Sequence, residues 1–127
     1  MTLRCHRFLS RRGCLHVNAI PTHLTSAEKL RLYDLAYGQG GVCVEVGSYL
    51  GASSCFIALA LVEREAPGRL YCVDTWQNDA MTEGERDTFS LFEQHTNPFR
   101  HILRPLRGDS AAVAKGFDQK IHFLFID

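Results

Sequence analysis

The 127-residue chain predicts an α/β fold: a Rossmann-like, doubly wound parallel sheet of about four strands with flanking helices. Three observations carry this prediction. Short apolar runs, VCVEV, RLYCVD and IHFLFID, alternate with longer segments of helical composition. A glycine-bearing turn, GSYLG, joins the first run to one of those segments, and an acid closes each run or follows it. Alternation of this kind implies βαβ units with right-handed crossovers and a sheet between helix layers.

Taken in order, residues 1–24 carry Arg4, Arg7, Arg11 and Arg12 and no acid, so they read as a basic, loosely ordered leader. Within it, Cys5-His6 and Cys14-His16 match no familiar zinc spacing. The folded domain is expected over 25–127. Its first helix runs from Ala27 to Tyr37, with Thr25 or Ser26 as N-cap, Glu28 in the first turn and Gly38 as the breaker. A strand follows over Val42 to Val46. The alanine- and leucine-rich segment from Gly51 then forms a helix ending at Pro67-Gly68. The second strand covers Leu70 to Val73, and the next helix has Thr82 as its cap, an apolar face of Phe89, Leu91 and Phe92, and a stop at Asn97-Pro98. Pro105 cannot donate to a central ladder, so any strand around it belongs at a sheet edge. After a short helix over Ser110 to Lys115, IHFLFID reads as a strand buried on both faces.

Composition narrows the partners. Fourteen basic residues balance 14 acidic ones, so no whole-chain field recruits nucleic acid or an anionic membrane. The longest apolar run, Cys55 to Val62, falls well short of the roughly 20 residues that span a bilayer. Five cysteines are an odd number, and Cys43, Cys55 and Cys72 lie inside apolar runs, which suits reduced thiols and a cytoplasmic location.

Ligands of open α/β sheets bind outside the carboxyl ends of the strands, near the point where strand order reverses. Glu45, Asp74, Asp109 and Asp127 are all predicted to sit at such ends. A dinucleotide would need a G-x-G-x-x-G turn for its pyrophosphate. Here Gly47-Ser48-Tyr49-Leu50-Gly51-Ala52 puts Tyr49 where the second glycine belongs, which obstructs close approach of a pyrophosphate. A phosphate-free nucleoside suits this turn better, and Walker-type residues are missing.

The ordered set VEVGSYLGASS, LYCVDTW, RGDSAA and HFLFID resembles the class I S-adenosylmethionine-dependent methyltransferases over roughly Glu28 to Asp127. The EVGxxxGxS form with a following DTW is similar to a branch that includes sugar and macrolide O-methyltransferases and relatives of cephalosporin hydroxylase. The resemblance implies S-adenosylmethionine as cofactor and a small-molecule or sugar hydroxyl as methyl acceptor, with metal use left open. It implies that Gly47, with Ser48 and Gly51 in the same turn, passes close to the methionine and ribose portions. Glu45 would order that turn or reach the ammonium group through water. Asp74 would accept hydrogen bonds from both ribose hydroxyls, Thr75 and Trp76 would follow beside it, and Trp76 would lie against adenine or cover the substrate entrance, or would pack inside. Asp109 would receive the adenine amino group and Ser110 would offer a backbone amide, or the pair would only cap a helix. Asp127 would lead to the acceptor side as the catalytic acid position, and the family's remaining strands would lie beyond it. The domain is therefore expected to be incomplete at its C-terminus, with a fourth strand whose open edge invites self-association.

Two other readings stand beside this one: a cofactor-binding module without turnover, and a nicotinamide-dependent oxidoreductase. His95, His101 and His122 suit acid-base work by type, but His95 and His101 flank a proline turn and His122 is expected inside a buried strand.

Overall fold

In the computed structural model, which describes residues 3–64, 68–77 and 88–127, four parallel strands form one sheet. They are β1 (Gly41–Val46), β2 (Gly68–Asp74), β3 (Leu103–Arg107) and β4 (Phe123–Ile126), in the order β3-β2-β1-β4. The chain therefore steps outward from β1 through β2 to β3, then returns to place β4 on the other side of β1. That reversal puts the switch point between β1 and β4. Pro105 lies in the edge strand β3 opposite Cys72, where a missing N–H costs no ladder bond on the solvent side.

Helices α1 (Leu3–Arg11), α2 (Ser26–Gln39), α3 (Ala52–Glu63), α4 (Thr88–Thr96) and α5 (Ser110–Gly116) complete the fold. A capping box starts α2: Thr25 Oγ1 accepts from Glu28 N at 3.2 Å, and Glu28 Oε2 accepts from Thr25 N at 2.8 Å. The helix runs through Gly38 and stops at Gly40, whose φ of 61° only glycine adopts readily. One interior glycine costs about 1 kcal/mol, too little to end a helix already capped and packed. The expected caps at Pro67 and Thr82 lie outside the described residues.

Period-2 alternation assigns the sheet's faces. Cys43 and Cys72 are buried under α3, and Glu45 bonds to α3 side chains. Val44, Val46 and Val73 turn to α5 instead. Helix α3 is buried from Ala52 through Leu61 and apolar there but for Ser53 and Ser54, because sheet, α2 and the N-terminal segment enclose it.

Two expectations are corrected here. The N-terminal segment is not loose: Cys5 and Leu9, one turn apart, are fully buried, and Phe8 packs edge-on to Tyr33 at 4.8 Å and stacks on Phe56 at 6.1 Å. Arg12 fastens the segment, lying 3.7 Å over the Phe8 ring and pairing with Glu63 at 2.9 Å, while Tyr33 donates its hydroxyl to the same carboxylate. Three of the arginines that suggest a leader, Arg4, Arg7 and Arg11, lie on an amphipathic helix whose other face joins the core.

The second correction concerns β4. It is an edge strand, with Phe123 and Phe125 half-buried toward α2, but Leu124 is 50% and Ile126 67% exposed. An apolar cavity of about 470 Å³ separates this face from α5, and among the described residues no strand pairs with the outer edge of β4. His122 is likewise exposed, one residue before the strand, with Nδ1 accepting from Val42 N at 3.1 Å.

Candidate functional site

Strand β1 ends in Glu45-Val46, and Gly47 follows. Glu45 is wholly buried beneath α3, where its carboxylate accepts from the hydroxyls of Ser53 and Ser54. It ties the strand to the first turn of α3. Ser48 is buried too, and its Oγ has no hydrogen-bond partner among the described residues. Gly47, at φ 92°, faces the switch point: a Cβ there would stand 3.3 Å from the Asp127 carbonyl oxygen. Gly51, at φ 96°, serves packing, since a Cβ would fall 2.8 Å from Thr96 Cγ2 on α4.

The acid at the end of β2 is held from two sides. Asp74 Oδ2 accepts from Tyr49 N and Oδ1 from Trp76 N, each at 2.9 Å. Each carboxylate oxygen keeps a further lone pair for a ligand hydroxyl. Trp76 itself is 5% exposed, packed on Phe89 and Phe92 with ring centroids 4.9 and 4.8 Å away. Its indole therefore fills the interior rather than covering an entrance. Asp109 caps α5, Oδ1 accepting from Ala111 N at 2.7 Å and Ala112 N at 3.2 Å, and it is exposed at the strand ends.

Five of the predicted residues, Gly47, Asp74, Thr75, Asp109 and Ser110, line one cavity of about 250 Å³ with Val46, Val73 and Gly108. Glu45, Ser48, Gly51 and Trp76 stand behind it as support, and Asp127 lies on the neighbouring strand end, its N donating to Val46 O at 3.0 Å. Sequence reasoning missed two contributors. Gly108, at φ 154°, opens the rim, and Tyr49 supplies the amide for Asp74 from a left-handed backbone at φ 48°. The only signal for Tyr49 was its place in the glycine turn.

Among the described residues, the lining carries two carboxylates and no cationic side chain. That donor-acceptor set suits hydroxyls, amino groups or a positive ligand and opposes a phosphate. Against this geometry, a family model described as a methyltransferase domain matches residues 44–127, well over half of the chain. The chain belongs to the methyltransferase-domain family. No curated protein matches it. Among solved structures, it is similar to the O-methyltransferase TomG from Streptomyces achromogenes, in complex with SAM, at 18% identity and a TM-score of 0.66, covering 98% of this chain and 50% of that one. It is similar also to an O-methyltransferase from Bacillus cereus in complex with SAH (13%, 0.66, 100% and 55%) and to the SAH-bound methyltransferase PaMTH1 from Podospora anserina (9%, 0.68, 98% and 54%). At these identities the likeness is one of fold, and this methyltransferase domain spans about half the length of each.

Burial raises the Glu45 carboxyl above its ordinary value of 4.5, against the lowering effect of the serine hydroxyls. The folded methyltransferase domain then holds this proton at pH values where the unfolded chain has lost it. Stability attributable to Glu45 is present below about pH 4.5 and declines as pH rises through the raised folded value. Glu45→Gln is expected to flatten that decline in melting temperature measured from pH 4 to 8. An unchanged slope in the variant would assign the pH dependence to other groups.

Among the described residues, no group of three or more His, Cys, Asp or Glu side chains is arranged to hold a metal ion. Nor is any helix there long and apolar enough to cross a membrane.

Proposed function

We propose that the cavity at the ends of β1 and β2 binds S-adenosylmethionine, and that the chain forms the donor side of an O-methyltransferase acting on a small molecule or sugar. One observation carries this reading: a cavity at the carboxyl ends of β1 and β2, lined by two carboxylates and by no cationic side chain among the described residues, inside the stretch matched to the methyltransferase-domain family. The SAM- and SAH-bound O-methyltransferases of like fold support it.

The residues fit such a cofactor. Gly47, lacking a side chain, leaves the backbone open to the amino-acid and ribose portions, and a Cβ would fill the gap toward Asp127. Asp74 offers two acceptor oxygens at the spacing of a vicinal diol. Asp109 and Ser110 stand across the cavity for the adenine edge. When bound, the cofactor supplies an electrophilic methyl on a sulfonium, which leaves as a neutral thioether. The chain's residues then need chiefly to position donor and acceptor and exclude water. An acceptor hydroxyl must also lose its proton, and Asp127, exposed beside Gly47, is the carboxylate we assign to take it. We assign the protein to the cytoplasm, a reading supported by the free thiols of Cys43, Cys55 and Cys72 buried in the apolar core.

Titration calorimetry with S-adenosylmethionine, S-adenosylhomocysteine and a nicotinamide dinucleotide tests the binding step. Preference for the dinucleotide would overturn the reading in favour of an oxidoreductase. Transfer of radiolabelled methyl to hydroxylated acceptors separates an enzyme from a binding module.

A further inference from the structure

Two non-glycine residues among those described have a left-handed backbone, Tyr49 at φ 48° and Trp76 at φ 51°. Bulky residues adopt that conformation only where surrounding contacts impose it. They sit on different turns, one after β1 and one after β2, yet both donate their backbone N–H to the same carboxylate, Asp74. A third bond closes the figure: Trp76 Nε1 donates to the Tyr49 carbonyl oxygen at 2.7 Å. Phe89 and Phe92 hold the indole in place, and Thr88 Oγ1 donates to the Trp76 carbonyl at 3.4 Å.

Packing alone explains a buried aromatic here, but not why its one polar atom reaches the turn that grips Asp74. Without the indole N–H, the Tyr49 peptide loses one of the bonds that hold its left-handed setting, and the donor to Asp74 Oδ2 is less firmly placed. We propose that Trp76 is a positioning residue: its indole N–H, through Tyr49, fixes the plane of the Asp74 carboxylate so that both oxygens meet the two hydroxyls of a vicinal diol. The inference rests on the cofactor reading above and extends it to the residue that sets selectivity for an intact ribose.

Trp76→Phe keeps the ring among Phe89 and Phe92 and deletes the N–H. Calorimetry compares S-adenosylhomocysteine with its 2′-deoxy analogue. The wild-type chain is expected to prefer the intact ribose at least tenfold. In Trp76→Phe that preference should shrink severalfold, through weaker binding of the intact ligand alone. Equal weakening toward both ligands in Trp76→Phe, or an unchanged preference, would overturn the proposal. A wild-type chain that binds S-adenosylhomocysteine and its deoxy analogue alike would instead remove the ribose role of Asp74, on which the proposal stands.

A measurement on the unaltered protein guards against a variant that does not fold. The sequence has one tryptophan, so a single indole N–H resonance reports on this bond. Its hydrogen exchange should slow more with S-adenosylhomocysteine than with the deoxy analogue, and equal protection would count against the coupling.

Discussion

Replacing Asp74 with alanine is expected to weaken S-adenosylhomocysteine binding by two orders of magnitude or more, read by titration calorimetry. Each hydrogen bond from a ligand hydroxyl to a carboxylate contributes about 1.5–3 kcal/mol, and two are lost together. The same change leaves the amides of Tyr49 and Trp76 without their acceptor, in turns whose left-handed backbone that acceptor helps to hold. A fall in melting temperature of roughly 5–10 °C should therefore accompany the loss of affinity. Asp74→Asn, retaining one acceptor oxygen, should fall between. Wild-type affinity in Asp74→Ala would remove the ribose assignment and with it the strongest reason to place the cofactor at this cavity.

Gly51→Val should give the largest loss of stability among glycine substitutions in the turn. The position has φ 96°, and a Cβ would stand 2.8 Å from Thr96 Cγ2 and 3.2 Å from Phe92 Cδ2. Left-handed backbone costs a β-branched residue about 1–2 kcal/mol, and overpacking a filled core about 1–3 kcal/mol more. Thermal denaturation followed by circular dichroism should show a drop of roughly 10–20 °C. Gly38 offers the contrast: it lies inside α2 with nothing within 4 Å of an added Cβ, so Gly38→Ala should stabilise by about 0.5–1 kcal/mol. A mild effect at Gly51 would mean that α4 gives way and that the glycine is not needed for packing.

The sheet was legible because its signals are local. The runs around Val44 and Cys72 are apolar and short, the α3 segment is long and rich in alanine, and Pro105 marks an edge by its missing donor. Three features were not legible, each for a physical reason. The N-terminal helix hides its apolar face, Cys5, Phe8 and Leu9, among three arginines, and its stability comes from tertiary contacts such as that of Arg12, just beyond it, with Glu63. The hydrophobicity of FLFI reports what that strand is suited to bury, whereas Leu124 and Ile126 are exposed at an edge. At the site, an acid at a strand end is visible in the sequence, but its direction is not. Glu45 turns inward to Ser53 and Ser54, while Asp74 turns to the cavity with its amide partners. Which partner a carboxylate finds depends on turns that meet only after the sheet has formed.

The mismatch between family and core has a practical side. The family match begins at residue 44, yet Cys5, Leu9, Val17, Ile20 and Leu30 belong to the same apolar cluster as Phe56 and Ile57. The stretch that the family model matches and the stretch that folds together are thus different lengths of polypeptide. A clone trimmed to the matched portion would strip α3 of its cover and present apolar side chains such as Phe56 and Ile57 to water, the surface on which precipitation in the expression host begins. Whoever cuts this gene into fragments should let the first helix, not the start of the homologous stretch, decide where to begin.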